Sequence, residues 1–185
     1  MTNVIIVHST YNNPEGNWFP WLKTELEKLN CQVFVPKFPT PENQSLENWL
    51  KVFEDYRQYL NEDTIVVGHS LGPAFLLSVL ETLDHPIKSA FFVSSFIGFI
   101  GNSEYNVLSK TFTLKEFNWQ KIKQNCKHFL LISSQNDPYV ELSHGQEIAI
   151  SLNSPIIVLP SAGHINSESG YTHFEFLLEK IKEVL

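Results

Sequence analysis

The stretch Thr64-Ile65-Val66-Val67-Gly68-His69-Ser70-Leu71-Gly72 decides the fold. Four residues of strong β preference, all but one apolar, run into a Gly-x-Ser-x-Gly segment. Beyond it Leu76, Val79, Leu80 and Leu83 recur at helical spacing. The reading is strand, tight turn, helix. A serine held on such a turn has its hydroxyl pushed out above the sheet, and the flanking glycines allow the strained backbone and the close approach of neighbouring segments. Ser70 is then a candidate nucleophile, and the N–H of Leu71 points where an oxyanion would form. The pattern alone is weak. Its placement between a buried strand and a helix gives it content, and the test is whether an acid and a histidine follow at matching positions.

Working outward, strand and helix patterns alternate from end to end. Val4–His8 is a continuous apolar run, as expected of a strand covered on both faces. A polar loop, Ser9–Asn17, leads to Trp18, Leu22, Leu26 and Leu29 at helical spacing. Gln32–Val35 reads as a second strand, ended by Pro36, Pro39 and Pro41. Leu46, Trp49, Leu50, Phe53 and Leu60 form one face of a second helix with Ser45 as N-cap. Lys88–Val93, Lys127–Ser133 and Pro155–Leu159 read as strands four to six. Trp119–Cys126 and Leu142–Leu152 are expected helices, and Phe174, Leu177, Leu178, Ile181 and Leu185 give the closing one. Ser94 to Asn118 breaks the rhythm, with phenylalanines among small and polar residues, and it is too short for a separate domain. Such alternation implies a parallel sheet with helices on both faces, and one domain over 1–185.

Composition narrows the classes. The net charge of −7 comes without any Lys/Arg cluster, which argues against nucleic acid and anionic membrane surfaces as partners. No apolar run approaches the roughly 20 residues of a membrane span. Met1 to Val7 reads as a first strand rather than a signal peptide. The only two cysteines, Cys31 and Cys126, are far apart, so neither a disulfide framework nor a metal spacing is expected, and both read as buried thiols. A reducing cytoplasm is the expected location.

Ligands of parallel sheets bind beyond the carboxyl ends of the strands, so reactive residues are sought there. Strand one ends at His8-Ser9-Thr10, strand three at Ser70, strand five at Asn136-Asp137-Pro138, and strand six at Ser161-Ala162-Gly163-His164. In chain order this gives Ser70, Asp137, His164, the order of the α/β-hydrolases. The chemistry needs each type. A serine hydroxyl is a weak nucleophile until a base takes its proton, histidine titrates near neutrality, and a carboxylate fixes the imidazole tautomer and stabilises the imidazolium. Asp55 and Asp63 precede the serine and Asp84 lies at the far end of the following helix, which leaves Asp137, with Glu141 as the fallback. His144 and His173 fall at helix starts, whereas His164 sits in a Gly-containing loop just past a strand. His8 is expected to shape the first loop and His69 to pack beneath the turn.

With these residues placed, the chain resembles the small single-domain α/β-hydrolases of the retinoblastoma-binding-protein-9/YdeN type. The likeness rests on Val4-Ile5-Ile6-Val7-His8 with the Asn-rich loop and Trp18-Phe19-Pro20-Trp21-Leu22. It continues through Gly68-His69-Ser70-Leu71-Gly72, Asn136-Asp137-Pro138-Tyr139-Val140 and Gly163-His164-Ile165-Asn166. One departure is Ser9, where many relatives carry glycine after the first-strand histidine. The resemblance implies serine hydrolase activity with Ser70, Asp137 and His164 as nucleophile, acid and base.

The expected architecture is a compact α/β-hydrolase of about six parallel strands in the order 2-1-3-4-5-6, without a large cap domain. The expected reaction is hydrolysis of small esters, thioesters or short amides through an acyl-Ser70 intermediate, with no metal and no organic cofactor. Leu71 and Thr10 are the expected oxyanion N–H donors, with Ser9 next. Trp18, Phe96 and His69 are the expected pocket residues. The alternative function class is a non-catalytic protein- or ligand-binding module on the same scaffold.

Overall fold

The computed structural model describes all 185 residues. Six parallel strands form one sheet in the order β2-β1-β3-β4-β5-β6. They are β1 (Asn3–Val7), β2 (Gln32–Phe34), β3 (Ile65–His69), β4 (Ile87–Val93), β5 (Cys126–Ser134) and β6 (Ile156–Leu159). The helices are α1 (Phe19–Lys28), α2 (Leu46–Phe53), α3 (Gly72–Leu80), α4 (Ser103–Thr113), α5 (Trp119–Gln124), α6 (Leu142–Leu152) and α7 (Glu175–Lys182). A 3₁₀ segment, Glu54–Tyr59, continues α2. The polar run Glu54-Asp55 and Arg57-Gln58 gives this last stretch little to bury.

Alternation along the central strands sorts side chains into two layers. Val4, Ile6, Ile65, Val67, Phe91, Val93 and Ile132 pack beneath α1 and α7, against Phe19, Leu22, Leu26, Leu177 and Ile181. Ile5, Val7, Val66, Ala90, Phe92 and Leu131 face the opposite layer, with Trp49 and Phe53 of α2, all of α3, and Ile148 and Leu152 of α6. With both faces covered, every residue of β1 and β3 is buried, which is why Val4–Val7 and Ile65–Val67 read as continuous apolar runs.

Three elements differ from the sequence expectation. The α3 pattern suggested a one-sided helix, yet all nine of its residues are buried because α2, α4 and α5 surround it. The segment that broke the rhythm contains α4. Asn102 caps it, its Oδ1 accepting from the N–H groups of Glu104 and Tyr105 at 2.9 and 3.2 Å. Its inward positions include Ser109 and Thr113 beside Phe112, so the apolar stripe is interrupted by buried hydroxyls. Leu185, assigned to the closing helix face, is exposed beyond the end of α7. Both cysteines are free and buried, and burial pushes the Cys126 thiol up to about 12. No helix is long and apolar enough to cross a membrane.

Candidate active site

β3 runs two residues past its apolar core, pairing Gly68 with Phe92 and His69 with Val93. The ladder is completed by the Ser70 N–H, which donates to Val93 O at 2.9 Å. Ser70 then turns the chain with φ +57°, in the left-handed region that a residue bearing Cβ seldom adopts. The glycines on either side are fixed by sterics. A Cβ on Gly68 would lie 2.7 Å from the Pro73 nitrogen, and one on Gly72 would lie 2.6 Å from Val7 O. The start of α3 is therefore pressed directly onto β1. Pro73 sits in the first helical turn, where a missing N–H costs nothing. The Leu71 N–H has no protein acceptor in the fold and stays available at the head of α3.

The loop after β6 brings His164 to the same end of the sheet. Its Nδ1–H donates to Asp137 Oδ2 at 2.7 Å, and both side chains are almost fully buried. The other carboxylate oxygen, Oδ1, accepts from the N–H groups of Tyr139 and Val140 at 2.9 and 3.0 Å. Asp137 is thus held by its own turn, and its bond to Nδ1 leaves Nε2 of neutral His164 as the ring's acceptor.

Distant groups clamp the His164 loop. His164 O accepts from His69 Nε2–H at 2.9 Å and from Ser94 Oγ at 3.2 Å, and His164 N–H donates to Ser169 Oγ at 3.2 Å. Gly163 N–H donates to Asn136 Oδ1 and Ala162 N–H to Ser134 Oγ. His69 is fully buried beneath, its ring 4.9 Å from that of His164. Desolvation, with the charge of His164 adding to it, lowers the His69 pKa to about 3, so it is neutral and its Nε2–H is a fixed donor. His8 shapes the first loop. Its Nδ1–H donates to Ser9 O at 2.9 Å and its Nε2 accepts from Phe38 N–H at 3.0 Å.

Ser70 and His164 line a single cavity of about 240 Å³, together with Thr10, Phe96 and the edge of His69. Thr10, like Leu71, has a backbone N–H without a protein acceptor, whereas that of Tyr11 is taken by Thr40 Oγ1 at 2.8 Å. Ser9 lines the cavity as well. Trp18 must be corrected. It is fully buried, packs edge-on against Phe19 in the α1/α7 layer, and its indole N–H donates to Ile165 O at 2.9 Å, so it braces the histidine loop rather than lining the pocket. Glu141, the fallback acid, is exposed ahead of α6, while Asp137 holds the histidine. His144 is engaged with Ile97 O at 2.8 Å, and His173 lies exposed against Trp21.

Sequence reasoning missed the cavity mouth. Tyr105 comes from α4, Tyr139 lies two residues past Asp137, and Glu168 four past His164. Only the last two had a signal available, their closeness to strand-end residues already singled out.

A parallel sheet in this strand order, with a serine on the β3–α3 turn, defines the α/β-hydrolase fold. The chain belongs to the serine hydrolase family, whose model matches residues 4–183. It is 30% identical over 171 residues to YdeN of Bacillus subtilis (strain 168), covering 91% of this chain and 88% of that one. It is 27% identical over 169 residues to the serine hydrolase RBBP9 of Rattus norvegicus, covering 91% and 86%. The crystal structure of the B. subtilis ydeN gene product superposes with a TM-score of 0.93 at 27% identity, over 100% of this chain and 98% of that one.

Proposed function

We propose that the chain hydrolyses small esters, thioesters or short amides through an acyl-Ser70 intermediate. His164 Nε2 takes the hydroxyl proton as Ser70 Oγ attacks the carbonyl carbon. The bond from that carbon to the leaving O, S or N then breaks, and His164 gives its proton to the departing atom. Water repeats the sequence, releasing the acid and restoring the serine. Asp137 keeps the imidazole in the required tautomer and stabilises the imidazolium. The N–H groups of Leu71 and Thr10 stabilise the oxyanion. The observation that carries this reading is the Asp137–His164 bond opening onto the cavity that holds Ser70 at positive φ. The modest cavity volume supports short acyl groups, and α4, at 11 residues, is no large lid.

The test is intact-mass labelling with a fluorophosphonate, wild type beside His164→Ala. One adduct on Ser70 that is lost in the variant is the expected result. Folded wild type that takes no label overturns the proposal and leaves a non-catalytic binding module as the reading.

A further inference from the structure

Neither lysine nor arginine lines the cavity that holds Ser70 and His164. Its mouth is built instead from phenols and carboxylates. Tyr11, Tyr105, Tyr139 and Glu168 line it, and Glu104 stands behind, accepting from the Tyr11 hydroxyl. The Tyr139 hydroxyl donates to Glu168 Oε2 at 2.9 Å. The rings follow one another around the opening, with Tyr11 and Tyr105 centroids 5.7 Å apart and Tyr105 and Tyr139 6.3 Å apart. The carboxylates raise the pKa of Tyr11 and Tyr139 through these hydrogen bonds, so the phenols stay protonated. A mouth of aromatic rings and carboxylates attracts cations and repels anions.

One side of this mouth belongs to the leaving group. The Tyr139 ring stands edge-on to the His164 ring at 5.1 Å, and Glu168 is carried on the histidine loop itself. In the hydrolase reading, on which this inference rests, His164 delivers its proton to the departing atom, so whatever lies beside His164 at that moment is the leaving alcohol. We infer that the site selects esters whose leaving alcohol carries an ammonium group, seated among Tyr105, Tyr139 and Glu168. The ester bond breaks as for any other substrate. The ammonium only adds binding that its neutral counterpart lacks, and the alcohol leaves protonated by His164.

The test compares three butyrate esters: butyrylcholine, its uncharged isostere 3,3-dimethylbutyl butyrate, and the anionic 3-(butyryloxy)propanoate. The choline ester should exceed the isostere in kcat/KM by about tenfold, the size of one cation–aromatic contact supported by a carboxylate. The anionic ester should fall below both. Glu168→Gln should narrow the choline-to-isostere ratio at least threefold, and Glu168→Asp should restore part of it. A parallel readout is protection of Ser70 from fluorophosphonate by choline against 3,3-dimethylbutanol, with choline protecting at the lower concentration. Equal kcat/KM for the choline ester and its isostere, or a ratio untouched in Glu168→Gln, overturns the inference. So does equal protection by the two alcohols when no butyrate ester is turned over. In each of these cases fluorophosphonate labelling leaves the hydrolase reading standing. Loss of both turnover and labelling removes the hydrolase reading and the inference together.

Discussion

The two halves of the candidate site are held in opposite ways. The β3–α3 turn that presents Ser70 has one backbone bond, to Val93 O, and is otherwise fixed by the absence of side chains at Gly68 and Gly72. The loop that presents His164 is held by hydrogen bonds that its carbonyls accept from His69, Ser94 and Trp18 and that its N–H groups donate to Ser169, Ser134 and Asn136. Close packing is stiff and intolerant of volume, whereas a set of hydrogen bonds yields one contribution at a time. Damage to the serine turn should therefore be all or none, and damage to the histidine loop graded.

The largest effects test whether the two halves act as one unit. Ser70→Ala and His164→Ala should each lower kcat on a short-chain ester by on the order of 10⁶-fold, the loss being the same for either partner of a shared proton transfer. A large difference between the two would mean that they do not work together. Asp137→Asn should cost less, on the order of 10⁴-fold, because the amide offers its NH₂ to Nδ1 and favours the wrong tautomer. Should Glu141→Gln reproduce that loss and Asp137→Asn not, the acid is misassigned.

Gly72→Ala probes the stiff half alone. The added methyl would meet Val7 O at 2.6 Å, a backbone atom with no rotamer to change, so β1 and α3 must part. The expected cost is about 1–3 kcal/mol, read as a fall in the urea midpoint with Ser70 labelling lost in step. At Gly163, by contrast, the added methyl would overlap Ser169 Oγ and lie 2.9 Å from Ser169 Cβ, so the Oγ must turn away from His164 N–H and the surface turn that carries Ser169 must shift. Gly163→Ala, strained further by its positive φ of +54°, should lose stability too but keep part of its Ser70 labelling, because the other clamps on His164 remain. Equal losses of labelling at the two glycines would erase the distinction between a packed and a hydrogen-bonded half.

The same contrast governs what the sequence made legible. The strand-end residues could be read because a parallel sheet delivers the ends of β3, β5 and β6 to one edge whatever the loops do, and the structure brings Ser70, Asp137 and His164 together there. The strand order and the serine turn are local steric statements written in consecutive residues. The clamps and the mouth are not. Tyr105 reaches the cavity from a helix whose inward face hides Ser109 and Thr113, so its periodicity fell below notice. Trp18 follows the β1 loop and so reads as a pocket residue, but only the partner carbonyl, Ile165, 147 residues away, decides which way the indole turns.

His69 links the halves, since it precedes Ser70 and supports His164 O. Its pKa is about 3 in the fold against 6.5 when free, so between those values the unfolded chain binds more protons and stability rises with pH. The contribution is fully present above pH 6.5 and is lost as pH falls toward 3. His8, lowered by burial, acts in the same direction. Urea midpoints at pH 5 and 7.5 should differ by a few kcal/mol at most in stability. His69→Phe should flatten that slope. An unchanged slope in the variant would show that His69 is not the residue charged on unfolding.

The smallest expected effect is also the most specific to the clamped half. Ser94 Oγ is the second donor to His164 O, and the His69 Nε2–H remains when it is removed. Ser94→Ala therefore leaves the carbonyl satisfied and forfeits one neutral hydrogen bond, about 1 kcal/mol. If that bond serves to hold the base in line with the serine, the loss falls on kcat, by less than about tenfold, and KM stays where it was, because the groups lining the cavity are unaltered. Ser169→Ala removes the acceptor of His164 N–H, which no second protein group replaces, so its loss should be the larger of the two, about 1–3 kcal/mol. Since the two contacts grip different atoms of one residue, the double variant measures whether the clamps are independent. Additive losses mean that each bond restrains the loop separately, and a combined loss well beyond the sum means that the loop moves as one body once both are gone. A rise in KM with kcat unchanged would instead place Ser94 in support of the cavity wall and remove it from the clamp.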